Sequence, residues 1–89
     1  MQDCNYILRD DIQLMKVGDE IIIYDMDNKK AHVLNETAAI IIKLIEEKHN
    51  LGEIINSIVS KYNQDIDQVS EDCNNLIQEF INNEIVFEE

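Results

Sequence analysis

Eighty-nine residues, 45% of them hydrophobic, are enough for one domain with a real core and too few for two. Seven Lys and Arg against nineteen Asp and Glu leave a net charge of −12, which repels phosphate backbones and anionic headgroups and so argues against nucleic acid or a membrane surface as ligand. A chain this short buries only about 60–65% of its unfolded surface, which leaves little volume for a deep, walled active site and favours a binding domain with a neutral or basic polypeptide partner.

The N-terminal MQDCNYILRDD lacks a basic region followed by an apolar stretch and does not read as a signal peptide. No apolar run approaches the roughly 20 residues of a membrane span. Cys4 sits in an N-terminal tail and Cys73 inside a predicted helix, so free thiols and a cytoplasmic location are the expectation. Residues 1–10 read as a flexible tail or as an extra edge strand built on Tyr6, Ile7 and Leu8.

From Ile12 the pattern has period two: Ile12, Leu14 and Lys16 alternate with Gln13, Met15 and Val17. Gly18-Asp19 separates this run from Glu20–Tyr24, and because Gly accepts the positive φ of primed turns, the pair predicts a two-residue hairpin. Asp25–Lys29 (DMDNK) predicts a second turn, since Asp and Asn tolerate left-handed backbone. Lys30–Leu34 (KAHVL) then returns as a third strand, completing an antiparallel meander.

After Asn35 the period becomes helical. Ala38, Ile41, Ile42 and Ile45 form an i, i+3, i+4, i+7 stripe that Ile40 and Leu44 widen, which predicts a central helix touched on several sides. A second helix carries Leu51, Ile54, Ile55, Ile58, Val59 and Tyr62, entered through Asn50 and Glu53 in capping-box spacing. A third starts near Asp65, with Gln68 placed to complete a similar box. It has Val69, Cys73, Leu76, Ile77 and Phe80 on one face and Asp67, Glu71, Asn75, Gln78 and Asn82 largely on the other. Glu84–Glu89 is a short extended tail. The order β-β-β-α-α-α predicts one α+β domain over residues 1–89, winged-helix-like, with a three-stranded antiparallel sheet placed before three helices.

Chemistry-bearing sets are scarce. His32 and His49 stand 17 apart with no cysteine at zinc-like spacing, so His32 reads as a half-exposed strand residue and Cys73 as a small core residue. Glu46-Glu47 and Glu71-Asp72 are adjacent on helices, about 100° apart, and share no site. Asp25, Asp27 and Asn28 lack the distal glutamate of a calcium loop, and no phosphate loop or nucleophile elbow occurs. The reading is a non-enzyme with no cofactor and no metal. What the meander does offer is an edge. Lys30–Leu34 leaves directly into the helices, so its outward N–H and C=O groups are a template for an extended peptide, unless Lys29 and Lys30 shield it or a helix covers it.

Three segments in order then resemble one family. Leu34–Ala39 (LNETAA) is similar to the LNxTA signature of PqqD-like domains, Leu51–Ile54 through Tyr62 looks like their second helix with Asn50 at the capping position, and Val69–Asp72 with Leu76, Ile77 and Phe80 resembles their third. The chain departs from the family at Ile42, where Trp is frequent, and near Glu47 and at Glu84, where Gly is frequent; Asn83 is the expected substitute at the second helix end.

The resemblance implies a precursor-peptide recognition element, which binds the leader of a ribosomally made peptide as an added antiparallel strand against the third helix. It places Lys30, Ala31, His32, Val33 and Leu34 on the strand edge and Asp72, Asn75, Leu76 and Glu79 on the helical wall. Asp72 matches the family motif, the other wall residues are placed by geometry, and a core role for Leu76 stands beside a binding one. The implied partners are the leader and a modifying enzyme, such as a radical SAM protein or a leader peptidase, in pyrroloquinoline quinone, lasso-peptide or other radical-modified peptide pathways. The acidic helix surface predicts a preference for Lys or Arg in the leader. The runner-up, a winged-helix transcriptional regulator, requires a basic recognition helix, whereas no Lys or Arg occurs between Gln64 and Glu89.

Overall fold

The computed structural model describes residues 4–89. Strands β2 (Ile12–Val17), β3 (Glu20–Asp25) and β4 (Lys30–Leu34) are followed by helices α1 (Glu36–Glu46), α2 (Leu51–Tyr62) and α3 (Ile66–Asn82), and the short strands β1 (Tyr6–Leu8) and β5 (Val86–Glu88) lie outside that core order. The expected α+β fold, a meander then three helices, is what is found. Residues 1–3 of the expected N-terminal tail lie outside the described residues.

The meander runs β2-β3-β4, all antiparallel. Val17 pairs with Glu20 across Gly18-Asp19, and Gly18 takes φ +62° with open space around its missing Cβ, so glycine is required there by backbone conformation and not by crowding. At the second turn Lys29 adopts φ 57°.

Register fixes which side chains share a face. Ile12, Leu14 and Lys16, then Ile21, Ile23 and Asp25, then Lys30, His32 and Leu34 form one face. Ile12, Ile23 and Asp25 are buried and the rest range from half-buried to exposed, so this is the side that meets the helices. The opposite face carries Met15, Val17, Ile22, Tyr24, Ala31 and Val33, and Val33 is 61% exposed.

The first two helices begin where a short polar side chain satisfies an orphan N–H. Asn35 Oδ1 accepts from the Ala38 N–H at 2.8 Å and caps α1. Asn50 and Glu53 form the expected reciprocal box at α2, both bonds 2.9 Å. The box expected at α3 does not form: Asp65 is the N-cap without a side-chain bond, and Gln68 donates to Asp72 one turn on, at 3.1 Å. Asp65 still opposes the helix dipole through its charge.

The helix endings also correct the sequence reading. Asn83 is right-handed at φ −89°, so it does not replace the family's glycine; Glu84 itself takes φ 60°, and Lys48 takes φ 71° after α1. With Asn63 at φ 51° after α2, three non-glycine residues at the helix endings adopt left-handed backbone, at a cost of order 1 kcal/mol each.

The core gathers Ile23 from the sheet, Ile41, Ile42 and Ile45 from α1, Ile54, Ile55 and Ile58 from α2, and Val69, Cys73, Ile77 and Phe80 from α3. Ile42, where tryptophan is frequent in the family, is fully enclosed. Ile40 and Leu44 are only half-buried, so α1 is covered on fewer sides than its sequence suggests. The tail is not merely extended: β5 pairs antiparallel with β1, Tyr6 opposite Glu88 and Leu8 opposite Val86, so the extra N-terminal strand joins the C-terminus and not the meander. Tyr62 Oη donates to Glu36 and ties the end of α2 to the start of α1.

Candidate functional site

β4 pairs with β3 on one side and ends the sheet on the other. Its inward side chains, Lys30, His32 and Leu34, face the helical side, while Ala31 and Val33 face out. Lys30, Ala31 and Val33 are exposed and His32 and Leu34 half-buried. The predicted strand edge is therefore a free edge among the described residues.

At the Lys30 end this edge opens on a polar hollow of about 260 Å³ that Lys30 and His32 share with Asp25, Asn28, Asn82, Asn83 and Glu84. The end of α3 is thus the part of that helix that comes up to β4. Asp72, Asn75 and Glu79 are exposed on α3 and Leu76 is half-buried against the core; none of the four lines the hollow. Spacings of 3, 7 and 10 residues put Asn75, Glu79 and Asn82 on one helical face with Asp72, so the hollow is where their polar stripe reaches the sheet. Asn82, Asn83 and Glu84 were not legible as site residues. Their one signal is the polar run at the end of an amphipathic helix.

Asp25 is the chemically distinctive group. It is 2% exposed, and a buried carboxylate is stable only when paired and hydrogen-bonded. Its Oδ1 accepts from an Arg9 guanidinium N–H and from the backbone N–H groups of Asp27 and Asn28, both 3.1 Å, and its Oδ2 accepts from Asn28 Nδ2 at 2.8 Å. The Asn28 side-chain donor does most to hold the Asp25 carboxyl below the usual carboxylate range; burial works against it, and the backbone donors and Arg9 add to it. With its lone pairs so engaged, Asp25 is a structural anchor and not a general base.

A folded pKa below the unfolded one means that the unfolded chain binds more protons in acid. The stability Asp25 contributes is therefore present above about pH 4, the unfolded value, and is lost as pH falls through the lower folded value. Urea midpoints followed from neutral pH into acid should drop less steeply in Asp25→Asn than in the parent chain. Equal slopes would mean that other carboxylates govern the acid limb.

Other reactive side chains are muted. Burial, with a smaller contribution from Asp72, pushes the Cys73 thiol up to about 11, so it is not a nucleophile at neutral pH. His32 belongs to no metal-ligating cluster: among the described residues no three His, Cys, Asp or Glu side chains are placed to hold a metal ion. No helix of the described residues is long and apolar enough to cross a membrane.

A second, larger hollow of about 860 Å³ lies between the β2–β3 hairpin and α1, with Leu14, Ile21, Leu34, Ile40 and Leu44 among its lining. It explains the half-exposure of Ile40 and Leu44. It borders β2, the opposite edge of the sheet, where Met15, Lys16 and Val17 are exposed.

The geometry has counterparts. The family model described as "Coenzyme PQQ synthesis protein D (PqqD)" matches residues 20–86. The fold is similar to that of two solved structures. One is described as TbiB1 in complex with the TbiA(beta) leader peptide, with TM-score 0.85 and 21% identity over 90% of this chain and 93% of that one. The other is described as lasso peptide synthetase B1 complexed with the leader peptide, with TM-score 0.85 and 19% identity over 93% and 98%. No curated protein matches.

Proposed function

This chain belongs to the PqqD family, and from that premise we propose that it is a non-catalytic module that captures the leader of a ribosomally synthesised precursor peptide and delivers it to a modifying enzyme. The observation that carries the reading is the free edge of β4, with Lys30, His32 and Leu34 turned towards the helical side and Lys30 and His32 beside the end of α3. An extended leader adds as a fourth strand beside β4. Its backbone hydrogen bonds are independent of sequence, and its alternate side chains enter the space between sheet and helix, where specificity arises. Ala31 and Val33 contribute backbone only. Asp72, Asn75, Leu76 and Glu79 form the wall of α3 that the leader passes.

Ordering a flexible leader offsets much of the contact energy, so micromolar to submicromolar affinity is expected. Weak capture is sufficient, because a leader held beside the enzyme raises the local concentration of the attached core peptide. The enzyme partner is a radical SAM protein or a leader peptidase. The acidic stripe on α3 favours Lys or Arg in the leader.

The test is a titration of the isotopically labelled domain with the short precursor encoded beside it, followed by amide chemical shifts. Shifts are expected along Lys30–Leu34 and on α3, including Asn82 and Asn83. Shifts confined to Ile12–Val17 would place the peptide at the other edge, beside the larger hollow, and no shifts at all would remove the leader as ligand. Turnover by the isolated domain would overturn the non-catalytic part.

A further inference from the structure

We propose that Arg9 is a positioning residue for peptide capture, holding the start of β4 at a fixed distance from the end of α3 and so setting the width of the polar end of the binding groove. This rests on the reading of β4 as the leader-binding edge.

Arg9 is the only arginine in the chain, and its side chain, 16% exposed, is shared by three segments. Nε donates to Asp11, Nη2 to Asp25, and Nη1 to the backbone carbonyl of Glu84 at 2.8 Å. The Arg9 backbone N–H also donates to the Ile85 carbonyl at 3.0 Å. Asp25 is the register partner of Lys30, where β4 begins. Glu84 stands two residues past the end of α3, in the left-handed conformation described above. One guanidinium therefore bonds to both walls of the hollow that Lys30, His32, Asn82 and Asn83 line, while lying outside the lining itself.

The residue type fits this role. A planar guanidinium presents five donors in a rigid fork and cannot lose its charge, so it fixes the relative placement of several acceptors; a lysine is a point charge on a flexible stem. If Arg9 served stability alone, its loss would weaken every mode of peptide binding equally. As a spacer it has a directional signature. A leader antiparallel to β4 lays its N-terminal part beside Leu34 and its C-terminal part beside Lys30 and His32, so only the C-terminal part feels the width that Arg9 sets.

The experiment compares the parent domain with Arg9→Gln and Arg9→Lys, using the leader encoded beside the gene both whole and shortened from the C-terminal side of its bound stretch. Dissociation constants are measured well below each variant's thermal midpoint. Arg9→Gln should raise the Kd of the whole leader about tenfold, the scale of a lost charge-assisted hydrogen-bond set, and leave the Kd of the shortened leader within about twofold of the parent's. Arg9→Lys, which keeps the charge opposite Asp25, should fall between. In the free protein, amides of residues 30–32 and 82–84 should move while that of Leu34 stays. Equal weakening for both leaders would reduce Arg9 to a stability residue, and an unchanged Kd in either folded variant would overturn the proposal. If Arg9→Gln does not fold, Arg9→Lys carries the same comparison. If the parent binds no leader, the reading of β4 fails first; if it binds with shifts at 30–34 and the variants match it, only the role of Arg9 fails.

Discussion

Proline at Ala31 and proline at His32 should produce two different failures. Successive N–H groups of an edge strand point in opposite directions, one into the sheet and the next outwards. In β4 the inward one bonds to β3, and removing it costs about 3 kcal/mol or more. The outward one meets solvent in the free domain, where proline is tolerated on an edge. One variant should thus lose much of its stability, melting roughly 12–24 °C or more below the parent, and bind only as far as it stays folded. The other should melt close to the parent and still bind the leader at least about tenfold more weakly, because a strand-addition bond and the room to form it are both lost. Thermal melts and calorimetric titration of both variants decide the matter. Two folded variants that bind like the parent would exclude β4 as the docking edge.

The second large effect is on stability. Ile23 is wholly buried in the central strand, opposite His32, and Val33 on the neighbouring strand is 61% exposed on the outer face. Truncating a buried isoleucine to alanine removes its transfer free energy and leaves a cavity, about 2–5 kcal/mol in total. A domain of this size holds only roughly 5–10 kcal/mol, and its midpoint falls by about 4–8 °C per kcal/mol. Ile23→Ala should therefore melt about 8–40 °C lower, while Val33→Ala stays within about 0.5 kcal/mol of the parent. Comparable losses from the two would mean that the outer face is covered in solution.

What was legible in the chain follows from the range of the interactions concerned. Gly18-Asp19, the DMDNK turn and the Asn50–Glu53 box are local chemistry, and each forms as its spacing dictates. Periodicity likewise found the buried stripe of each helix, with Ala38, Ile41, Ile42 and Ile45 all enclosed. Asp65 and Gln68 had the right spacing, yet the glutamine's longer reach found Asp72 instead. Pairing of Tyr6 with Glu88 joins opposite ends of the chain, and no local pattern encodes that. The same holds for the corner of the candidate site, where residues 9, 25 and 84 meet. Asp25 read as an ordinary turn residue because its burial depends on an arginine sixteen positions away.

The outer face of the meander bears on how the domain remains dispersed. Met15, Val17 and Val33 present apolar surface beside strand edges able to pair with any extended chain, another copy included. A net charge of −12 keeps copies apart, and that repulsion fades in concentrated salt and near the isoelectric point of about 4.3. On the proposed binding mode, a leader seated on β4 would close one of the two edges, and cargo would then double as a stopper against edge-to-edge polymerisation.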